Sequence, residues 1–543
     1  MTFLGIDALT LLLILPAVSA LALLLMPEND NLQRGMALVF SSLIGAYTIF
    51  LFYAYNTGAF NTPGSAYAFE VQFPWFTAIG ATWHLGIDGI SATMLLLTGI
   101  LVPLSVLVSF EIKEGVKMHM ALILLFEIGL LGVFVALDLM IFFLFYELSL
   151  VPIYFLIKQY GGKNRMYAST KFFIYSMGGT LGMLLATQLI GWSMSLTPVG
   201  QPSFDIVAIS EYWPLLREGE MFLGQPVGLI KMLAFIGFFI AFSIKVPVWP
   251  FHTWLPDAHS EAPTAGSMLL AGVMLKLGAY GFLRLVIPFF PDVWVRELSF
   301  FGSGTFTVAA VFATLAMLGV VLGAFAAFGQ DDIKRLVAYS SVNHMGFVAM
   351  GLAVTALVYG EMFMNGGVDE VTMGTAIIAT NGAVFQMFNH GLSSAGMFLL
   401  AGAIYHKTHT RDMREYGGLW VKAPIYGSIF IFTSMASVGL PGLNGFVSEF
   451  LVVRGSFPIF TWLTALAMIG LLFTGSYILK GVRAVLHGPF NLKWRDTELE
   501  IDRRELIAIA PLMVLMLVTG LYPNWVLSTI NQSVTVFLSG LLG

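Results

Sequence analysis

A series of apolar runs, each about as long as a lipid bilayer is thick, constrains this chain most. A helix of about 20 mostly apolar residues crosses the roughly 30 Å hydrocarbon core. Because lipid offers no hydrogen-bond partners, the backbone N–H and C=O groups of such a run must bond to one another, as they do in a helix. Runs of this kind lie near 3–26, 34–55, 88–110, 116–137, 138–157, 165–193, 228–259, 263–287, 303–328, 334–358, 375–405, 424–457, 460–486 and 505–530. We therefore expect an all-α integral membrane protein with about 14 transmembrane helices.

Composition supports this expectation and excludes several classes of function. The 543 residues are 58% hydrophobic and only 10% charged, whereas soluble domains carry about 25% charged residues. The net charge of −5 lacks the basic excess that nucleic-acid binding requires, so no nucleic-acid partner is expected. The absence of cysteine excludes disulfides, thiolate zinc sites and Cys-ligated iron–sulfur clusters in this chain.

The connections between the runs are too short and too apolar to form a soluble domain. The longest, 56–87 and 194–227, are rich in aromatic residues and proline, which suits the membrane interface. The first run exceeds the apolar core of a signal peptide and has no basic residues before it, so we interpret it as a retained span. Residues 1–543 are thus expected to form a single multi-pass membrane domain in contact with lipid.

The distribution of basic residues predicts which side of the membrane each loop faces. Lys and Arg accumulate in cytoplasmic loops. Seventeen basic loop residues fall in one set of alternating loops, and the other set holds only Arg217, Arg296 and Arg454. This asymmetry predicts an even number of spans with both termini on the non-cytoplasmic side.

Several ionisable residues fall deep inside predicted helices, where an unpaired charge is costly and a functional role is the default expectation. Glu147, for example, lies nine residues into its helix, roughly 14 Å deep. Five such residues on five helices form a predicted row, which suggests a proton path: Glu147, Lys245, Lys276, His344 and Glu449. Glu127 and His390 are further candidates. The structural alternative is that these acids, lysines and histidines only pair with one another and hold the helices together.

Two of the predicted helices are interrupted in corresponding positions. Pro247 and Pro250 break the seventh just after Lys245, and Pro441 and Gly442 break the twelfth just before Glu449. Such paired breaks indicate an ion site between inverted repeats. A spacing of five helices then predicts the following division: helices 1–3 (1–115), a first repeat of helices 4–8 (116–287), a second repeat of helices 9–13 (303–486) and helix 14 (505–530).

The sequence also offers two metal-based alternatives to the proton path. The segment 252–261 contains four potential zinc ligands, but no two histidines in it are three or four residues apart, and polar groups there can cap helix ends. A haem held by His344 and His390 is the second alternative, although both residues have a better explanation in proton transfer.

Four motifs carry a resemblance to a known family. They are KVPVWPFHTWLPDAHSEAPTAGS at 245–267, KRLVAYSSVNHMG at 334–346, LGIDGIS at 85–91 and FYELSLVP at 145–152. The chain resembles the antiporter-like proton-pumping subunits of respiratory complex I, the proton-translocating NADH:quinone oxidoreductase, over roughly residues 85–530. The resemblance implies fourteen core helices and two inverted five-helix repeats.

The resemblance also implies roles for matching residues. Glu147 is similar to the family's partner of Lys245, and Lys245 and Lys276 are similar to its buried proton carriers. His344 resembles the bridging residue, and Glu449 resembles the residue that passes a proton onward. Because some family members have Lys at the second break, Glu449 makes the chain most similar to the middle pumping subunit. Glu127 matches no family motif.

The resemblance further implies an assembly in which redox chemistry elsewhere drives proton movement. The expected partners are other membrane subunits, including neighbouring antiporter-like ones, in a bacterial inner membrane or an equivalent energy-coupling membrane. No cofactor is expected in this subunit, whereas NADH or ferredoxin, FMN, iron–sulfur clusters and quinone are expected on partner subunits. The alternative is a subunit of a multi-subunit sodium/proton antiporter, and a hydrogenase-linked pump subunit is a weaker third hypothesis.

Overall fold

The computed structural model describes residues 2–3, 5–58, 60, 65–299 and 305–540, and it consists almost entirely of helices. Thirteen helices in this described part are long and apolar enough to cross a membrane, and two shorter ones form the interrupted twelfth span. We number them α1 (Ala8–Leu25), α2 (Asp30–Asn56), α3 (Gly89–Glu111), α4 (Val116–Val135), α5 (Leu139–Tyr160), α6 (Arg165–Leu196), α7a (Val227–Lys245), α7b (Trp254–Glu261), α8 (Thr264–Phe289), α9 (Val308–Phe328), α10 (Ile333–Asn365), α11 (Glu370–Thr408), α12a (Pro424–Val438), α12b (Asn444–Ser456), α13 (Thr461–Leu486), α14 (Arg503–Leu521) and α15 (Asn524–Ser539). The predicted fold class is confirmed.

Polar side chains fix where many of the helices begin. An Asp, Asn or Thr residue accepts a hydrogen bond from a backbone N–H of the first turn, which satisfies a donor that has no partner within the helix. These capping residues are Asp7, Asn29, Asp88, Asp138, Thr307, Asp332 and Asp369. Their positions between apolar runs explain why most predicted boundaries lie within a few residues of the observed ones.

The two interrupted spans have different local causes. Helix α7a ends at Lys245, and the segment before α7b contains Pro247 and Pro250, which cannot donate a backbone hydrogen bond. In the twelfth span, Gly439 and Gly442 have φ of 83° and 93°, which glycine adopts without strain. Both interruptions place non-helical backbone beside a buried ionisable side chain.

Equivalent helices of the two predicted repeats make equivalent contacts. Helix α4 packs against α5 in the first set, and α9 packs against α10 in the second. Helix α6 packs against both halves of the seventh span, as α11 packs against both halves of the twelfth. Between the two sets, α7b contacts α10 and the first turns of α8 contact α11. The residue limits of the repeats and the side of the membrane on which the termini lie stay predictions.

The prediction of one continuous helix over 505–530 is wrong. Helix α14 ends at Leu521 and α15 begins at Asn524. Pro523 disfavours helical backbone at Tyr522, whose φ and ψ are −135° and 69°. Helix α15 packs against α3 and α11.

The connection 56–87 contains secondary structure that the apolar runs did not predict. The third and fourth strands along the chain, β3 (Ala68–Phe76) and β4 (Ala81–Ile87), form an antiparallel hairpin beside the turn between α4 and α5. The described part of the chain holds four such pairs: β1 (Thr2–Phe3) with β2 (Ile6–Asp7), β3 (Ala68–Phe76) with β4 (Ala81–Ile87), β5 (Met221–Phe222) with β6 (Gln225–Pro226), and β7 (Glu297–Ser299) with β8 (Thr305–Thr307).

A buried histidine joins the β3–β4 hairpin to the loop before the short helix Ile206–Tyr212. His84 Nδ1 lies 2.6 Å from Asp205 Oδ2, and His84 Nε2 lies 2.8 Å from Glu70 Oε1. Burial lowers the pKa of His84, but the hydrogen bonds and charges of Asp205 and Glu70 outweigh it, so the net shift is upward. Only the doubly protonated ring donates to both carboxylates at once.

The hydrogen bonds of His84 with Asp205 and Glu70 predict that the β3–β4 hairpin becomes less stable at alkaline pH. Because the pKa of His84 is higher in the folded chain, its stabilising contribution is complete below the ordinary value of 6.5 and is lost as pH rises through the folded value. Amide hydrogen exchange in residues 68–87, corrected for its intrinsic pH dependence, should accelerate about tenfold or more above that point, since a charged hydrogen bond contributes about 1.5–3 kcal/mol. The variant His84→Gln should exchange rapidly at both pH values. Equal protection of the wild-type hairpin amides from exchange at pH 6 and pH 9 would refute a stabilising role of protonated His84.

Candidate functional site

Glu147 and Lys245 lie on facing helices at the first interruption. Both line one small cavity between α5, α6 and α7a, together with Tyr146 and Ser176. Lys245 is 1% exposed, and its Nζ lies 4.6 Å from the centre of the Tyr146 ring. Neither Lys245 Nζ nor Glu147 Oε1 has a hydrogen-bond partner among the described residues. The Lys245 ammonium group therefore lies over the Tyr146 ring, in the same cavity as the Glu147 carboxylate. No hydrogen bond to either side chain fixes its position.

Lys276 lies in the middle of α8, on the side that faces the second set of helices. Its Nζ donates to the carbonyl of Ala271 and lies 2.9 Å from Nδ1 of His390 on α11. The carbonyl belongs to Leu270–Met274, a segment of α8 with π-helical hydrogen bonding, a distortion that is frequent at functional sites. Close packing connects this region to the first interruption, because a Cβ at Gly278 would lie 2.9 Å from Lys245 Cβ.

Two histidines continue the row toward the second interruption. His390 Nε2 lies 3.2 Å from Ser341 Oγ, and the His390 ring centre is 5.5 Å from that of His344. His344 Nδ1 lies 2.8 Å from Oε1 of Glu449 on α12b. As whole residues, His390, His344 and Glu449 are each less than 5% exposed. The structure thus brings Lys276, His390, His344 and Glu449 into one buried sequence of neighbours.

Amide and hydroxyl groups fasten α12b to α11 at the level of Glu449. Asn389 Nδ2 donates to the Asn444 carbonyl (2.8 Å), and Asn444 Nδ2 donates to the Asn389 carbonyl (3.0 Å). Ser448 Oγ donates to Gln386 Oε1 at 2.5 Å, and Gln386 Nε2 donates to Glu449 Oε1 at 3.2 Å. These contacts hold the glycine-containing interruption in place.

The other sequence candidate, Glu127, stands apart from the row. It is fully buried on α4, and neither carboxylate oxygen has a hydrogen-bond partner within the described residues. Among those residues, no hydrogen bond or ion pair links it to the five carriers. The geometry therefore does not include Glu127 in the row.

Three of the four potential zinc ligands of 252–261 contact separate partners. Asp257 accepts from Lys171 at 2.7 Å and from Arg335 at 2.6 Å, and Glu261 pairs with Arg411 at 3.0 Å. The ring of His259 stacks on Phe398, with 4.9 Å between ring centres. These carboxylates neutralise basic side chains near α7b, and the described residues show no group of three or more His, Asp or Glu arranged to hold a metal ion.

Sequence reasoning gave His390 only as a further candidate and did not identify Ser341, Gln386 or Tyr146. Gln386 and His390 are four residues apart and therefore share one face of α11. This spacing could have identified Gln386 from the sequence as a neighbour of the row. The contact of Tyr146 with Lys245 could not be predicted from the sequence. Tyr146 and Glu147 are adjacent on α5, and adjacent side chains on a helix normally point in different directions.

Comparison with protein families places most of the chain in one group. Residues 136–366 and 369–474 match the family described as NADH:quinone oxidoreductase/Mrp antiporter, transmembrane. The match includes both interrupted spans and all five residues of the predicted row.

Individual relatives agree with the family match. The chain is 36% identical to NADH-quinone oxidoreductase subunit M of Rhodobacter capsulatus, over 97% of this chain and 96% of the relative. It is 38% identical to the subunit M of Pseudomonas aeruginosa, over 92% and 91% of the two chains. With the subunit M of Escherichia coli it shares 39% identity over 86% and 84%.

Solved structures show the same fold. A chain of respiratory complex I from Thermus thermophilus superposes with a TM-score of 0.80 and 28% identity, covering 98% of this chain and 100% of that one. A chain of the Mrp complex from Dietzia sp. DQ12-45-1b superposes with a TM-score of 0.77, covering 99% of each chain, and its 18% identity supports likeness of fold alone.

Proposed function

Because the chain belongs to the NADH:quinone oxidoreductase/Mrp antiporter family of membrane proteins, we propose that it is a proton-translocating subunit of an NADH- or ferredoxin-dependent quinone oxidoreductase. Its row of buried carriers moves protons, and redox chemistry in other subunits drives the movement. The subunit thereby takes part in a translocase reaction without holding the redox site itself.

The observation that carries this proposal is the row of buried neighbours from Lys276 to Glu449, in which Lys276 is hydrogen-bonded to His390 and His344 to Glu449, while the His390 and His344 rings lie 5.5 Å apart between centres. A proton moves between groups within hydrogen-bond distance, and imidazole suits this task because it accepts a proton on one nitrogen and releases one from the other. His344 Nε2 has no hydrogen-bond partner among the described residues, so it is free to exchange a proton through a water molecule.

Glu147 and Lys245 are suited to control the entry of protons into the row. A carboxylate that approaches an ammonium group favours its charged form, and a carboxylate that withdraws favours release of the proton. Since Lys245 Nζ is not fixed by a hydrogen bond within the described residues, a small movement of α5 relative to α7a changes this balance. Such a movement would couple proton transfer to a conformational signal from another subunit.

The assembly and its location follow from the same proposal. NADH or ferredoxin, FMN, iron–sulfur clusters and quinone bind to partner subunits, and this chain contributes no ligand to them. Neighbouring antiporter-like subunits and lipid surround it in a bacterial inner membrane or an equivalent energy-coupling membrane. Both termini lie on the non-cytoplasmic side, which the asymmetry of basic residues supports.

A second candidate function is a subunit of a multi-subunit sodium/proton antiporter, favoured by the description of the matched family, which names the Mrp antiporter beside NADH:quinone oxidoreductase. Such a protein exchanges ions without a redox partner. The two functions therefore differ in whether a blocked proton step slows quinone reduction.

Substitution of His390 tests the continuity of the row. In the assembled complex, His390→Phe should lower proton pumping and quinone reduction together by about tenfold or more, because it removes both ring nitrogens between Lys276 and His344. The matched control is His119→Phe, a buried histidine on α4 whose Nε2 lies 3.0 Å from Ser109 Oγ, outside the row. Pumping in reconstituted vesicles and quinone reduction are measured on the same preparations. Unchanged rates in assembled His390→Phe would contradict a route through this residue.

A further inference from the structure

A groove opens on the surface of the helix bundle where α9 and α13 pack side by side. Phe328 of α9 and Leu479 of α13 line its apolar part, and Lys480, Arg483 and His487 line the part nearest the helix ends. The groove holds about 640 Å³, a volume typical of sites for small organic ligands. None of these residues belongs to the row of buried proton carriers.

The apolar part of the groove continues along the membrane-spanning faces of both helices. Phe325 on α9 and Leu472 on α13 are 44% and 72% exposed. Phe328 and Leu479, which lie nearer the helix ends, are exposed as well. Because residues three or seven positions apart lie on the same side of a helix, these side chains form one continuous apolar surface. In a bilayer, such a surface contacts lipid acyl chains.

The basic side chains of the groove lie at the depth of the lipid headgroups. Helix α13 has 26 residues and is therefore about 39 Å long, which exceeds the roughly 30 Å hydrocarbon core. From Phe473, near the centre of α13, to Arg483 the helix rises about 15 Å, which is half the thickness of that core. With α13 centred in the bilayer, Arg483 thus lies at the boundary between acyl chains and headgroups.

Lys480 and Arg483 have different surroundings. Lys480 Nζ donates to the carbonyls of Phe328 and Gln330, each at 2.8 Å, and so joins α13 to the end of α9. It also lies 3.4 Å from Asp331 Oδ1. Arg483 is exposed, and no hydrogen bond or ion pair within the described residues engages its guanidinium group. Its N–H donors therefore form an available fork, a geometry that matches two oxygens of a phosphate.

The walls of the groove are fastened to each other below the basic residues. Asn343 of α10 is buried, and its Nδ2 donates to the Val320 carbonyl of α9 at 2.8 Å. Thr474 Oγ1 of α13 donates to Asn343 Oδ1 at 2.9 Å. The ring centres of Phe325 and Phe473 lie 4.3 Å apart. The groove is thus preformed, which lowers the free-energy cost of ordering it around a ligand.

We propose that this groove binds a membrane phospholipid with an anionic headgroup. The Arg483 guanidinium holds the phosphate, and the acyl chains lie along the apolar surface of α9 and α13. A zwitterionic headgroup adds an ammonium group, which Arg483 and Lys480 repel. Asp331 pairs with both Lys480 and Arg414, so the charge around the groove stays positive. Basic pockets between membrane-spanning helices are typical sites for anionic headgroups.

Photo-crosslinking in the assembled complex tests this site. The complex is placed in vesicles that contain the same small fraction of either phosphatidylglycerol or phosphatidylcholine, each with a diazirine in its acyl chain, and labelled residues of α9 and α13 are mapped by mass spectrometry. Phosphatidylglycerol should label the wild-type groove about fivefold more, the factor that one basic side chain near an anionic surface contributes. Arg483→Gln should remove most of this preference, and Arg483→Lys should retain part of it.

The matched control is Arg503→Gln, because Arg503 is also an exposed arginine, lies on the first turn of α14 and does not line the groove. It should keep the wild-type preference. Equal labelling of the wild-type groove by the two lipids would overturn the proposal, as would an unchanged preference in Arg483→Gln. If neither lipid labels the groove, a neighbouring subunit covers this face and the lipid site is refuted. Labelling is measured without pumping, so the result is independent of the proposed function.

Discussion

In Glu449→Gln, quinone reduction and proton pumping are expected to fall together by about tenfold or more, with the complex fully assembled. Glutamine keeps nearly the same volume and can still accept a hydrogen bond from His344, but it cannot ionise. In a complex whose electron transfer is obligatorily coupled to pumping, a blocked proton step stalls the redox reaction. Both rates are measured on the same vesicles, and Glu449→Asp should retain part of each.

Other outcomes of the Glu449 experiment have distinct meanings. The control Glu361→Gln alters a partly buried glutamate on α10 outside the row and should leave both rates unchanged. If Glu449→Gln impairs ion exchange while no redox rate responds, the chain serves an uncoupled antiporter. Normal pumping and normal quinone reduction in the assembled variant would leave Lys245, Lys276 and His344 as the route without Glu449.

Lys245→Ala should abolish proton pumping while the complex still assembles. The Lys245 ammonium has no hydrogen-bond partner within the described residues, so its removal leaves no donor or acceptor newly unpaired. The loss of the contact with the Tyr146 ring costs about 0.5 to 2 kcal/mol, which a large membrane domain tolerates. Pumping is followed in vesicles, and assembly is followed by the amount of intact complex in the membrane.

Lys231→Ala provides the contrasting control on the same helix. Lys231 is 3% exposed, and its Nζ donates to the Pro214 carbonyl at 2.8 Å and to Asp292 at 3.2 Å. Its removal leaves a carboxylate unpaired and should reduce the amount of assembled complex. If instead Lys245→Ala is the variant that disappears from the membrane, the pair with Glu147 has a structural role.

The sequence predicted those features that depend on local chemistry. The end of α7a at Lys245 follows from Pro247 and Pro250, and most helix limits follow from apolar length and capping side chains. The break between α14 and α15 was not predicted. The run 505–530 is apolar on both sides of Pro523 and has the length of a single span.

Features that depend on how helices are turned toward one another could not be predicted. His390 lies between Lys276 and His344 only because α11 presents that face to both α8 and α10. The pair of Arg284 with Asp88 joins residues 196 positions apart, a separation that no local sequence pattern predicts. The β3–β4 hairpin escaped prediction because its residues were interpreted as an interfacial connection.

The reciprocal amide bonds between Asn389 and Asn444 have a mechanical consequence. They clamp α12b to α11, so Glu449 and His390 travel as parts of one rigid unit. Between that unit and α10, the row is joined through His344 and through Ser341. A relative shift of about 1 Å between α10 and this unit would therefore be enough to turn the His344–Glu449 hydrogen bond into a gap.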